Sequence, residues 1–283
     1  PDLIIIHGDR VEALAVAISG SFNNFLIAHI EGGEVSGTID EHIRHSVSKL
    51  SHLHFVSNKD AKKRLLQLGE LNKTIFITGS PETDIMRLKN LPSLKDVKKR
   101  YDIIFKEYAI LLYHPVTSET NKKIQNDLNC LLQVLKKSNR NYLLIYPNND
   151  PGSKTIISNY KLKFRKLKNV KIFRSIRFEY FLTLLKNSFC IIGNSSSGVR
   201  EAPFYGVPTI DLGNRQKNRT SNKSIYNLKF NLSKILRVLK KIENKKFKKS
   251  KIYGEGYSAK KIVGILNSKN IWKTSTQKYL QEI

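Results

Sequence analysis

Residues 3–19 begin with the strand-like run Leu3-Ile4-Ile5-Ile6, pass through His7-Gly8-Asp9-Arg10, and continue in a helical pattern over Val11–Ser19. The run is apolar at every position, as a strand must be when both faces of its sheet are covered. Gly8 lets the backbone turn tightly, and the helical pattern then carries the chain back across the sheet. This strand–turn–helix unit repeats. Further strand candidates lie at Phe25–Ile30, Leu53–Ser57, Thr74–Thr78, Ala109–Tyr113, Tyr142–Tyr146, Val170–Phe173, Phe189–Ile192 and Thr209–Leu212. Helical patterns lie between them at Glu41–Leu50, Lys59–Leu68, Glu119–Lys137, Lys154–Leu167, Phe178–Leu185 and Ser197–Tyr205. Alternation of this kind specifies an α/β fold with parallel sheets and right-handed crossovers.

Asn90-Leu91-Pro92-Ser93 interrupts both periodicities, so a domain break is expected within Arg87–Lys98. Domain one, 1–88, carries four strand candidates, few for a complete doubly wound sheet, and is expected to be incomplete at its N-terminus. Domain two, 99–262, carries five. A tail, 263–283, is expected to be helical from Ile271 onward, after Asn267-Ser268-Lys269-Asn270.

With 283 residues, 40% of them apolar and 26% charged, the chain has the composition of an ordinary globular protein with room for two cores. It contains no apolar run of membrane-spanning length, and Pro1–His7 lacks the basic and small-residue regions of a signal peptide. Cys130 and Cys190, the only cysteines, sit among apolar residues, which argues against a disulfide scaffold and fits a reducing cytoplasm. The net charge of +27 raises nucleic acid or an anionic membrane as partners. The densest stretch, Arg215 to Lys251, holds fourteen Lys and Arg against one acid, but Leu232, Ile235, Leu236, Leu239 and Ile242 recur within it at helical spacing. The charges therefore read as the solvated face of a helix, and neither partner is expected.

In open parallel sheets ligands bind beyond the carboxyl ends of the strands, so polar clusters there are the candidate site. Asp9 and Arg10 follow the first strand. Glu31 follows the second, in His29-Ile30-Glu31-Gly32-Gly33-Glu34, and Asp40 precedes Arg44 and His45, placed to cap their helix. In the second half His114 ends a strand, and Asn148 lies in the loop after another. Gly193-Asn194-Ser195-Ser196-Ser197-Gly198 follows a strand and opens a helix, where backbone N–H groups and the helix dipole suit a phosphate. Its spacing is neither a Walker loop nor a dinucleotide fingerprint. Glu201, on the same helix, suits a ribose diol, and Arg215 a diphosphate. His42 and His45 are read as surface or pocket-lining groups and His52 and His54 as structural; no metal site is evident.

Together HGDR (7–10), HIEGGEVSGTIDEHIRH (29–45), HPVT (114–117), GNSSSGVRE (193–201), LGNRQ (212–216) and KIYGEG (251–256) resemble the hydrolysing UDP-N-acetylglucosamine 2-epimerases of sialic-acid biosynthesis. That family includes the epimerase half of the animal bifunctional epimerase/kinase. The resemblance implies two Rossmann-like domains in a GT-B-like fold with a UDP-sugar in the cleft between them, and further strand–helix units ahead of residue 1. It implies Asp9, Glu31 and Asp40 as catalytic acids and His114 as a catalytic or orienting group. Arg10, Ser195, Ser196, Glu201 and Arg215 would hold the nucleotide diphosphate, with Asn148 and Arg44 at the sugar. It implies neither a metal nor a nicotinamide cofactor, and a homodimer or homotetramer. Gly32 resembles the hydrolysing branch, since non-hydrolysing relatives usually carry Ala there. The same chemistry on a GDP-linked or modified N-acetylhexosamine, a non-hydrolysing epimerase, a GT-B glycosyltransferase and a basic binding fragment are the alternatives.

Overall fold

The computed structural model describes residues 1–243, 245, 247–279 and 281. They form two compact units, Pro1–Leu88 with Lys251–Ile283, and Lys89–Ser250.

In unit one, β1 (Leu3–His7), α1 (Val11–Phe22), β2 (Leu26–Ile30), α2 (Asp40–Leu50), β3 (Leu53–Val56), α3 (Lys59–Gln67), β4 (Ile75–Ile77) and α4 (Glu82–Met86) follow in turn. The strands pair in parallel in the order β1-β2-β3-β4. Successive side chains of a strand point to opposite faces, and each face here has its own cover. Ile27 and Ile6 pack with Ala17 and Val47 from α1 and α2, whereas Leu26, Ala28, Leu53 and Phe55 pack with Ile262 and Ile271.

Unit two begins with α5 (Leu94–Arg100), β5 (Ala109–Leu112), α6 (Asn121–Lys137), β6 (Tyr142–Ile145), α7 (Ser153–Leu162) and β7 (Val170–Phe173). It continues with α8 (Phe178–Lys186), β8 (Ile191–Gly193), α9 (Glu201–Tyr205), β9 (Thr209–Leu212), β10 (Ile225–Leu228) and α10 (Leu232–Lys241). All its strands are parallel, in the order β10-β9-β8-β5-β6-β7. The chain therefore winds one way from β5 to β7 and the other way from β8 to β10. The switch falls between β5 and β8, and there a doubly wound sheet opens a crevice at its carboxyl end. Helix α6 shows why these segments are helical: Thr120 accepts a hydrogen bond from the Lys123 N–H at 3.3 Å as N-cap, and Ile124, Leu128, Leu131 and Leu135 form its buried stripe. In α10 the buried side is Ile235 and Leu239 and the lysines are solvated, as the spacing predicts. Among the described residues no helix is long and apolar enough to cross a membrane.

Several sequence expectations need correction. The second domain does not run to residue 262, because the chain returns to unit one at Lys251. Tyr253 accepts a bond from the Ser80 N–H at 2.7 Å, and the Ser258 hydroxyl donates to the Gly79 carbonyl at 2.8 Å. Helix α11 (Ser258–Leu266), unforeseen in the sequence, then places Ile262 under the first sheet. Beyond it only the 3-10 turn Ile271–Lys273 forms among the described residues, so the tail is not the helix expected from Ile271; Leu280, Glu282 and Ile283 of that expected helix lie outside the described residues. The break at Arg87–Lys98 contains the start of α5, capped by Ser93, which accepts from the Asp96 N–H at 3.1 Å.

Candidate active site

The carboxyl end of the first sheet gathers acids and one arginine. Gly8 turns at φ +83°, and its N–H still reaches the Ile30 carbonyl at 3.2 Å, so Asp9 stands just past the tip of β1. Asp9 accepts a hydrogen bond from Arg44 Nη2. Arg44 is only 2% exposed, and its Nη1 donates to the Glu34 carbonyl at 3.0 Å. One guanidinium thus ties the β1 turn, the loop after β2 and α2 together. Asp40 is one turn earlier than Arg44, on the same face of α2. It is not the N-cap expected from the sequence: Ile39 holds that position, without a side-chain bond, and Asp40 instead accepts from the Thr38 hydroxyl at 2.8 Å. Arg10 points outward, with Nε 3.6 Å from Glu12 Oε2 and a side chain 63% exposed.

Glu31 is buried and held in the left-handed region at φ +69°. That conformation is costly for a residue with a side chain and persists where surrounding contacts enforce it, often at functional sites. Its N–H donates to the Phe55 carbonyl at 2.9 Å. The loop that follows is fixed as firmly: Ser57 donates to Glu34 Oε1 at 2.5 Å, Arg64 to the Gly33 carbonyl at 3.1 Å, and the Ser36 N–H to Glu41 Oε2 at 2.7 Å. Below Gly32, the fully buried His29 meets Ser48 Oγ at 3.0 Å and the Gly8 carbonyl at 2.9 Å. Burial pulls the His29 imidazole down to about 3, so it is a neutral strut at working pH.

Two residues at this rim receive no role from the sequence: His7, read only as part of the HGDR motif, and Glu82. His7 Nε2 lies 3.3 Å from Glu31 Oε2 and 3.9 Å from Glu82 Oε1. Glu82 opens α4 just after β4, so the strand-tip rule that singled out Asp9 and Glu31 applies to it equally. Potential ligand atoms of His7, Glu31 and Glu82 all lie within 4.8 Å of one another, a grouping of residues too far apart in sequence to form a metal-ligand spacing. His52 and His54 are structural: His52 Nδ1 accepts from the Ile27 N–H at 3.0 Å, and His54 Nε2 meets Glu70 Oε2 at 2.9 Å.

The second sheet presents a different chemistry at its switch point. Asn194, after β8, locks to His114, after β5. The His114 N–H donates to Asn194 Oδ1 at 2.7 Å, and Asn194 Nδ2 returns a bond to the His114 carbonyl at 2.8 Å. His114 Nδ1 accepts from the Asn148 N–H at 3.2 Å, so the ring proton sits on Nε2. Burial, with the Arg215 charge assisting, pulls His114 down to about 4 and keeps it a neutral donor. Asn148 therefore meets His114 through its backbone, while its side chain donates to Asp150. Arg215 Nη1 and Gln216 Nε2 both donate to the Asn194 carbonyl, at 3.3 and 3.0 Å.

The serine loop differs from expectation. Ser196–Gly198 is a 3-10 turn in which Ser195 Oγ accepts from the Ser197 N–H at 3.3 Å. Helix α9 spans only Glu201–Tyr205, with Glu201 buried at its start. So few aligned peptides carry little dipole, so the helix itself offers little of the anion attraction expected from the sequence.

The chain matches, over residues 1–267, the family described as UDP-N-acetylglucosamine 2-epimerase. It belongs to that family. It is 44% identical to the UDP-N-acetylglucosamine 2-epimerase of Neisseria meningitidis serogroup B over 98% of this chain and 74% of that protein. It is 37% identical to the GDP/UDP-N,N'-diacetylbacillosamine 2-epimerase (hydrolyzing) of Campylobacter jejuni over 88% of this chain and 65% of that protein. The UDP-N,N'-diacetylbacillosamine 2-epimerase (hydrolyzing) of Legionella pneumophila is 35% identical over 95% of this chain and 71% of that protein. In fold it is similar to a Methanocaldococcus jannaschii UDP-GlcNAc 2-epimerase structure with UDP-GlcNAc and UDP, at TM-score 0.82 and 24% identity, covering 94% of this chain and 75% of that one. The fold class is therefore the GT-B-like one of these epimerase structures.

For this epimerase-family chain, Gly32 is sterically required. A Cβ there would lie 2.7 Å from Ser48 Oγ and 2.9 Å from His29 Nδ1, both buried. Gly32→Ala must displace the strut beneath Glu31. Overpacking of this kind costs about 1–3 kcal/mol, and the expected result is a lower urea midpoint together with reduced turnover. A wild-type midpoint would show that the strut yields freely.

Proposed function

We propose that the chain is a hydrolysing 2-epimerase, which converts UDP-N-acetylglucosamine to UDP and free N-acetylmannosamine for nonulosonate synthesis of the sialic-acid type. The observation that carries this reading is the Glu31–Glu34 loop: a buried carboxylate in a left-handed conformation, above a glycine whose space is already filled. Kinship to two relatives named as hydrolysing, at 37% and 35% identity, supports it.

The chemistry follows from the substrate. A C2 hydrogen beside an acetamide is barely acidic, so the C1–O bond to the diphosphate must break ahead of proton loss. C1 then becomes oxocarbenium-like, and nearby carboxylates stabilise it. As the C2–H bond breaks, its electron pair forms the C1=C2 bond of a 2-acetamidoglycal, and a carboxylate of the Asp9, Glu31 and Asp40 set takes the proton. Water then adds its hydroxyl to C1, and C2 is reprotonated on the opposite face. Arg215, Ser195, Ser196 and Glu201 hold the nucleotide, with Arg215 facing the departing diphosphate. His114 offers Nε2–H as a neutral donor. Arg44 orients Asp9, and Arg10 and Asn148 complete the sugar-nucleotide contacts.

A second reading keeps the reaction and changes the sugar to an N,N'-diacetylbacillosamine nucleotide, as the names of those two relatives suggest. One experiment tests both. The protein is incubated in deuterium oxide with UDP-N-acetylglucosamine, or with UDP- or GDP-linked diacetylbacillosamine, and products are followed by NMR. The expected result is free N-acetylmannosamine carrying deuterium at C2, with UDP released. Protium retained at C2 would overturn the elimination, a still nucleotide-linked product the hydrolysing assignment, and turnover of the diacetyl sugar alone the substrate.

A further inference from the structure

The carboxyl end of sheet one holds a graded series of groups, Glu31, Glu82 and His7, of which the reaction as written uses only Glu31. The Glu31 side chain is 8% exposed, Glu82 28% and His7 45%. His7 Nε2 stands 3.3 Å from Glu31 Oε2 and 3.9 Å from Glu82 Oε1. The Glu31 backbone is held by its N–H bond to the Phe55 carbonyl in a left-handed conformation, and its side chain lies buried at the rim. Glu82 is fixed by a bond from the Ser80 hydroxyl. The imidazole is thus the exposed neighbour of a buried carboxyl, with a second carboxylate beside it.

We propose that His7, backed by Glu82, is the route by which Glu31 exchanges its proton with solvent in each turnover. This rests on the 2-epimerase reading and commits to Glu31 as the group that handles the C2 proton. After elimination, the proton lost from C2 is bonded to a Glu31 oxygen, the C2–H pair is in the C1=C2 bond, and the C1–O pair has left with the diphosphate. His7 Nε2 takes the proton from Glu31 and becomes imidazolium, which the Glu82 carboxylate stabilises. The ring then gives one proton to water, so Glu31 is again a carboxylate, His7 is neutral and one proton has reached solvent. The 3.3 Å separation is one that ligand-free sites commonly show before tightening around substrate.

One imidazole and two carboxylates also suit a divalent cation. Two ligands of one ion, each about 2.0–2.2 Å from it, stand up to about 4 Å apart, so the 3.9 Å between His7 and Glu82 admits an ion as well, and metal dependence of turnover is the outcome that separates the two.

The test is His7→Ala, assayed for UDP release with and without added imidazole. The expected result is a kcat loss of about 10²-fold, KM close to wild type, and recovery that rises with imidazole concentration, since the vacated position opens to solvent. Glu82→Gln is expected to lose a smaller factor, and imidazole should not restore it. His7→Ala turning over at the wild-type rate, or folding normally yet gaining nothing from imidazole, would overturn the relay. Should His7→Ala fail to fold, Glu82→Gln decides the matter, and unimpaired turnover there counts against the proposal. Wild-type activity lost to EDTA and restored by Mn²⁺ or Zn²⁺ would make the cluster a metal site and overturn the relay as well. A wild-type protein releasing no nucleotide from any of the three sugar nucleotides would instead overturn the 2-epimerase reading.

Discussion

Gly193→Ala is expected to lower the stability of unit two by about 3 kcal/mol or more and to abolish UDP binding. Gly193 is the last residue of β8, at φ +135°, where side chains rarely sit. A Cβ built there would lie 1.8 Å from the Leu112 carbonyl oxygen and 2.5 Å from its carbon. Leu112 ends β5 and is the register partner of Gly193, so the clash is between backbones and no rotamer relieves it. The same oxygen accepts the Asn194 N–H at 3.1 Å. Forcing β5 and β8 apart therefore breaks the Asn194–His114 lock at the switch point, along with the Arg215 and Gln216 bonds to the Asn194 carbonyl. Urea unfolding and calorimetric titration with UDP check both effects. Gly264→Ala is the control: it lies in α11 with nothing within 4 Å of its Cβ position, so the better helix former should leave stability unchanged or slightly raised. A wild-type midpoint for Gly193→Ala would mean that the carbonyl moves aside without loss.

What could be read in the sequence is what local physics decides. Ala109–Leu112 and Tyr142–Ile145 are buried at every position, and a wholly apolar run is the signature of a strand covered on both faces. β10, Ile225–Leu228, escaped because it is an edge strand, half-solvated and interrupted by Asn227. The return of the chain to unit one escaped for another reason. Its determinants are contacts between residues far apart in sequence, such as the Ser258 N–H to Asp84 Oδ1 at 2.7 Å and the Gly256 N–H to Thr83 Oγ1 at 3.2 Å. No periodicity in 251–266 reports them. At the candidate site, strand-tip position alone picked out Asp9, Glu31, His114 and the serine loop. The resemblance alone places Arg44 at the sugar, and the sequence cannot show that its guanidinium is buried between Asp9 and the Glu34 carbonyl. His7 and Glu82 met the same positional rule and were passed over beside the more conspicuous Asp9 and Glu31.

Glu31→Gln is expected to cut kcat by about 10²- to 10⁴-fold, the range that a general acid–base group supplies, with KM and the urea midpoint near wild type. Gln has the volume of Glu and tolerates φ +69° no worse, and the N–H to the Phe55 carbonyl is a backbone bond that the change leaves intact. Only the charge and the basic oxygen are lost. Loss of kcat and kcat/KM in equal measure would place the missing interaction in the transition state and not in substrate binding. Asp9→Asn is the informative contrast. Asp9 is the ionic partner of Arg44, which is 2% exposed, and replacing it leaves a buried guanidinium without its carboxylate. That variant should lose stability as well as activity, whereas Glu31→Gln should lose activity alone. Steady-state kinetics with UDP-N-acetylglucosamine, paired with urea unfolding of both variants, separates the two roles. Retention of more than about a tenth of wild-type kcat in a folded Glu31→Gln protein would remove Glu31 from proton transfer, since no group doing that work is dispensable at so small a cost.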